Sequence, residues 1–187
     1  KKSPQLSAGY VMYANAFSMA HNYDQAMGYY ERALGYDSKN PQAYAGLCQI
    51  YLRSKNLDLV KSYARQYQDV SVHPYQKADA LGYQAIVESA SNNLPDAEKL
   101  AQKSVELNPR EKKALFVLAQ ASIARGDSEA GEKYCREVLE IDPGYAGVHE
   151  LLGYIFVKAK KSDAAVYHLE KYIKMVPDQA RAWHNLG

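Results

Sequence analysis

Five copies of one pattern, followed by the opening eight residues of a sixth, run through this 187-residue chain from Ser7 to its end. Pro109, Pro143 and Pro177 stand 34 residues apart, each closing a short apolar-acidic stretch (VELNP, EIDP, KMVP). Counted back from these prolines, copies start at Ala78, Lys112, Ala146 and Ala180, and the same internal pattern fits earlier starts at Ser7 and Pro41. The spacings are 34, 37, 34, 34 and 34. A fixed period of this length is the mark of helix pairs stacked into a solenoid. Each unit of such an array buries its apolar face against its neighbours rather than in one central core. The expected fold is all-α, a single array over residues 1–187. Its repeats fall at 7–40, 41–77, 78–111, 112–145 and 146–179, with a truncated sixth at 180–187.

Within each copy the repeated positions have a physical logic. Position 8 is small throughout: Ala14, Cys48, Ala85, Ala119, Gly153 and Gly187. Small residues are required where two helices of a hairpin come close. Position 4 carries a mostly large knob (Tyr10, Tyr44, Leu81, Leu115, His149, Trp183), and position 7 reads Tyr13, Leu47, Gln84, Leu118, Leu152 and Leu186. Positions 4, 7, 8 and 11 share one face of a 3.6-period helix and predict an inward stripe. A second helix follows, with Ala26, Val60, Ala97, Gly131 and Ala165 at position 20 and Tyr30, Ala64, Ala101, Cys135 and Leu169 at position 24.

These residues and their spacing closely resemble the tetratricopeptide repeat, whose signature runs W-x2-L-G-x2-Y, then A-x3-F, then P. The last copy carries Trp183, Leu186 and Gly187; the fifth carries Leu152, Gly153, Phe156, Ala165 and Pro177. The first has Tyr13, Ala14, Phe17, Ala26, Tyr30 and Ala33, with Ser38 in place of the proline. The resemblance covers residues 7–187 and implies a right-handed superhelix of helix-turn-helix repeats. Two departures stand out. The second copy has Val60, Ala64 and Tyr67 where the family has alanine, an aromatic and alanine, and it runs three residues long through DVSVHPYQ. Pro74 pushes His73 out of helical geometry, so residues 70–77 read as a longer loop. The third copy turns Gln84 and Glu88 inward, which marks the middle of the array as its softest part.

Composition excludes more than it specifies. With 24% charged residues, 47% hydrophobic residues and a net charge of +2, nothing calls for nucleic acid or an anionic membrane. The longest apolar run, ALFVLA at 114–119, is far short of the ~20 residues of a membrane span. Cys48 and Cys135 lie two copies apart, too distant for the ~7 Å a disulfide allows. Two unpaired thiols lean towards a reducing, cytoplasmic setting. The abrupt start at Lys1 and end inside a copy read as a fragment, so a removed signal peptide stays open. His21, His73, His149, His168 and His184 show no i, i+4 pair, and no C-x2-C, phosphate loop or nucleophile motif occurs. No catalytic residue, metal site or cofactor is expected.

In tetratricopeptide proteins the first helices line a concave groove, and the resemblance implies that positions 2, 5, 9, 12 and 13 face it. Five of these 25 residues are charged, three basic and two acidic, so the lining is apolar and amide-rich. The carboxylate clamp of chaperone-binding members does not fit: among Val11, Asn15, Gly46, Asp79 and Tyr83 only Asn15 matches. Asn15, Gln49 and Gln120 at position 9 can hydrogen-bond the backbone of an extended chain whatever its sequence. The apolar candidates are Val11, Met19, Leu52, Ile86, Phe116, Ile123, Tyr154 and Val157, with Arg53 and Glu150 as flanking charges. Phe116 and Tyr154 are the preferred anchors. The expected partner is a protein or peptide, as an extended segment or an amphipathic helix, with no nucleic acid and no direct membrane insertion. Self-association through the open sixth repeat, a spacer role, and a recognition arm for a catalytic domain elsewhere stand as alternatives.

Overall fold

The computed structural model describes residues 3–176, and all regular structure among them is helical. The helices are α1 Pro4–Met19, α2 Tyr23–Tyr36, α3 Pro41–Arg53, α4 Leu57–Val70 and α5 Pro74–Ala90. They continue with α6 Leu94–Leu107, α7 Lys112–Ala124, α8 Ser128–Ile141, α9 Ala146–Lys158 and α10 Ser162–Met175. Proline opens the first turn of α1, α3, α5 and α6, where its missing N–H has no helical partner to lose. Asn22, Asn40, Asn56 and Asp127 cap α2, α3, α4 and α8 by accepting from backbone N–H groups of the first turn. Each hairpin reverses through one left-handed residue: His21, Lys55, Asn92, Gly126 and Lys160, with φ between 57° and 85°. Their spacing of 34, 37, 34 and 34 shows one turn geometry used five times.

The chain divides into two compact units, Lys1–Asn108 and Pro109–Gly187. In the first unit α1 packs on α2, α3 on α4 and α5 on α6, while α2 meets α3 and α4 meets α5. Helices α1, α3 and α5 form a row, since α1 touches α3 and α3 touches α5. The described part of the second unit repeats this with α7 on α8, α9 on α10, α8 against α9 and α7 against α9. Every position-8 residue from Ala14 to Gly153 is buried, as are all the position-20 and position-24 residues. Space at Gly153 is taken by Leu169, whose Cγ would lie 2.7 Å from an added Cβ. Leu47, Leu152 and Leu169 are almost wholly buried, each contributing about 2 kcal/mol by removal from water.

Three expectations change. Residues 70–77 are not a long loop: α4 runs to Val70 and α5 starts at Pro74, leaving only 71–73 between them. His73 is extended (φ −87°, ψ 141°), as its proline requires, and Pro74 then starts the helix, so the extra residues lengthen α5 to 17. The inward polar pair is also satisfied rather than orphaned. Gln84 Nε2 donates to Gln68 Oε1 at 2.8 Å, and Glu88 pairs with Lys61 at 2.7 Å and accepts from Asn93 at 2.9 Å. Tyr13 is not inward: it is 62% exposed, its ring stacked on Tyr29 of α2 with centroids 5.7 Å apart. The sixth repeat, including Trp183 and the proposed self-association end, lies outside the described residues.

Candidate functional site

Along the α1–α3–α5 row the first unit has two adjoining hollows of about 410 and 420 Å³, which share Asn15, Tyr30 and Gln49. Tyr30 rises from α2, and its hydroxyl donates to Asn15 Oδ1 at 2.6 Å. Burial raises the Tyr30 pKa, so the phenol stays protonated and remains a donor. Gly46 makes this possible, because a Cβ there would collide with the Tyr30 ring. With its oxygen engaged, Asn15 keeps its Nδ2 donors to offer, beside the fully amphoteric amide of exposed Gln49. Gln42 and Gln76 add amides, and Tyr67, Tyr75 and Tyr83 add phenol rings. Asp79 lies in one hollow, and Arg53 in the other, its guanidinium 5.0 Å from the Tyr23 ring centroid.

The sequence-predicted residues of this unit divide by burial. Met19 is 82% exposed, and Asn15, Gln49 and Arg53 are exposed as well; all four line the hollow around Tyr23. Leu52 and Ile86 are half-buried, Leu52 packing against the α3–α5 core. Val11 is corrected: at 7% exposure it belongs to the core with Leu47 and Ile50, because α1 leans on α3 there. Tyr75 and Gln76 were missed in the sequence, since α5 was expected to begin only at Ala78. Pro74 as a helix-start signal would have found them.

In the second unit Phe116 is half-buried, its ring tilted against that of Tyr145 with centroids 5.1 Å apart, and fitted over Gly147, where an added Cβ would lie 2.8 Å from the ring. Ile123 is half-buried and turned onto Gly131 of α8. Gln120 and Glu150 are half-buried too. Tyr154 is 42% exposed, with Lys158 Nζ 4.7 Å from its ring centroid. Lys113, at groove position 2 of its copy, is tucked against Glu111 at 2.8 Å.

Chemistry elsewhere is limited. His149 and His168 were not paired in the sequence, yet their Nδ1 atoms stand 2.9 Å apart, with His149 Nε2 3.3 Å from the Pro143 carbonyl. Burial first, then His149 and Arg136, push the His168 pKa down to about 4, so that ring is neutral at pH 7. Cys48 and Cys135 are buried and form no disulfide, and burial pushes Cys135 up to about 12, well away from a reactive thiolate. Among the described residues no group of three or more His, Cys, Asp or Glu could hold a metal, and no helix is long and apolar enough to cross a membrane.

Residues 18–67 and 84–146 match family models described as tetratricopeptide repeat. A curated relative, anaphase-promoting complex subunit CDC16 of Saccharomyces cerevisiae, is 23% identical over 188 residues, covering 96% of this chain. The chain spans 22% of that relative's length. Among solved structures, the APC/C hetero-tetramer Cut9–Hcn1 superposes with a TM-score of 0.77 at 18% identity, covering 98% of this chain and 36% of that one. YrrB, described as a TPR protein with an unusual peptide-binding site, superposes with a TM-score of 0.56 at 23% identity, covering 94% of this chain and 89% of that one. At these identities the structural likenesses establish the fold.

Proposed function

The chain belongs to the tetratricopeptide repeat family, an all-α superhelical repeat fold, and on that premise we propose that it holds an extended peptide segment in the α1–α3–α5 groove of its first unit. Its general role is that of a protein-interaction scaffold. One observation carries the finer reading: Tyr30, seated on Gly46, holds Asn15 beside Gln49 in the shared part of the two hollows. Amides fixed in this way can donate to and accept from a peptide backbone without reading its side chains. Met19 and half-buried Leu52 supply apolar contact, while Arg53 and Asp79 set opposite charges that can orient the segment. Phe116, Gln120, Glu150 and Tyr154 form a separate contact surface of the second unit in the same proposal. The role is non-catalytic and needs neither nucleic acid nor membrane insertion. A partner complex of the kind named for CDC16 and Cut9 is consistent with this role.

The test selects linear peptides from a random displayed library against the full chain, then measures their affinity by titration calorimetry. Asn15→Ala with Gln49→Ala should weaken them by about tenfold or more, at ~1 kcal/mol per hydrogen bond lost. Gly46→Ala should do the same by displacing Tyr30. Peptides N-methylated along the contact segment should lose binding, because their backbone donors are gone. If methylated peptides bind as well as their parents, backbone reading is wrong.

A further inference from the structure

A different face of the first unit carries an unbalanced charge constellation. Lys61 and Arg65 on α4 stand at positions 21 and 25 of the copy beginning at Pro41. Lys99 and Lys103 on α6 occupy positions 22 and 26 of the copy beginning at Ala78. Stacked helix pairs bring corresponding positions of consecutive second helices near each other. All four basic side chains accordingly line one cleft of about 260 Å³, with Gln84, Glu88, Asp96 and Leu100. Gln84 and Glu88 lie on a different side of α5 from Gln76, Asp79 and Tyr83, which line the peptide groove.

Of the two acids in the cleft only Glu88 is paired with a cation; Asp96 keeps its charge, so four basic and two acidic side chains leave the lining at +2. Glu88 takes Lys61 at 2.7 Å and Asn93 at 2.9 Å, and Asn93 also donates to Asp96 at 2.8 Å. The Lys61 contact, chiefly, holds the Glu88 carboxyl below its usual range, so that pair stays formed near neutral pH. Arg65, Lys99 and Lys103 make no ion pair among the described residues. Three like charges around one small cleft repel one another, and a compact dianion would offset them. Leu100 is the only apolar side chain of the lining and no aromatic ring is present, so neither lipid tails nor stacked bases have a seat there. We propose that this cleft binds a phosphorylated acidic peptide segment, with the phosphoryl group among Arg65, Lys99 and Lys103 and flanking residues against Leu100. This site goes beyond the backbone-reading groove and does not depend on it.

Fluorescence anisotropy of the full chain tests it, using a fluorescein-labelled peptide with one phosphoserine set among glutamates. The phosphorylated peptide should bind about tenfold or more tightly than its serine counterpart, as charge-assisted contacts to phosphate imply. Rising salt should weaken it. Lys99→Ala with Lys103→Ala should weaken phosphopeptide binding by about tenfold, whereas the two lysine-to-arginine changes should retain it. Both positions changed are exposed, so the variants should melt as the parent does. Equal affinity for the two peptides would overturn the proposal, as would binding untouched by the alanine pair. Capture of phosphatidylserine vesicles or single-stranded RNA through the same lysines, with no preference for the phosphopeptide, would overturn it too.

Discussion

Protonation is the residue-scale property with the clearest consequence. His168 has its folded pKa lowered from 6.5 to about 4 by burial, by His149 and by Arg136, with Glu132 acting weakly the other way. Between those values the unfolded chain takes up a proton that the folded chain refuses. Stability is therefore unaffected by this group above about pH 6.5 and is lost as pH falls from there towards 4. After allowance for the ring's partial solvent access, the loss between pH 7 and 5 should be roughly 1 kcal/mol. Thermal melts at the two pH values check this, and His168→Gln should flatten the difference; an unchanged slope in that variant would be the contrary result. The pair shows where reading single residues fails. His149 was legible as a buried knob, but nothing in a separation of 19 residues announces that His168 would meet it. Val11 failed in the opposite direction, since a groove position in the first copy leans onto α3 and becomes core.

At the scale of helices, close approach is what the sequence displays most plainly. Small residues recurring at position 8 can only mean a tight crossing, and the buried Ala14, Cys48, Ala85, Ala119 and Gly153 are that crossing. Gly153→Leu should be severe. The new side chain would have to displace Leu169, whose Cδ2 lies 2.5 Å from an added Cβ, and overpacking of this kind costs ~1–3 kcal/mol or more. Circular dichroism should show an earlier, less cooperative melt. A superimposable curve would mean that α9 and α10 do not cross at this residue. Element boundaries were less legible. The β-branched, proline-containing stretch after α4 reads as loop, yet Pro74 begins α5 a turn early and brings Tyr75 and Gln76 to the groove. Ile123 was assigned outward by its position number, but Gly131 leaves a gap on α8 that its side chain fills.

On the scale of the whole molecule, the period alone was enough for the fold family, because a repeat must satisfy the same packing in every copy. Function is less repetitive and so less legible. Charges that look like solvated surface within one helix, such as Lys61 and Lys99, converge only when neighbouring copies stack. Amides such as Asn15 acquire direction only from a phenol on the next helix. The central claim is that a partner segment lies along α1, α3 and α5 of the first unit. Hydrogen exchange of the full chain, alone and saturated with a selected linear peptide, tests it most directly. Slowed exchange should appear over residues 11–20, 42–53 and 74–83, whether or not the separate surface of the second unit is also protected. Protection confined to α7–α10, or none in the first unit at saturation, would contradict it.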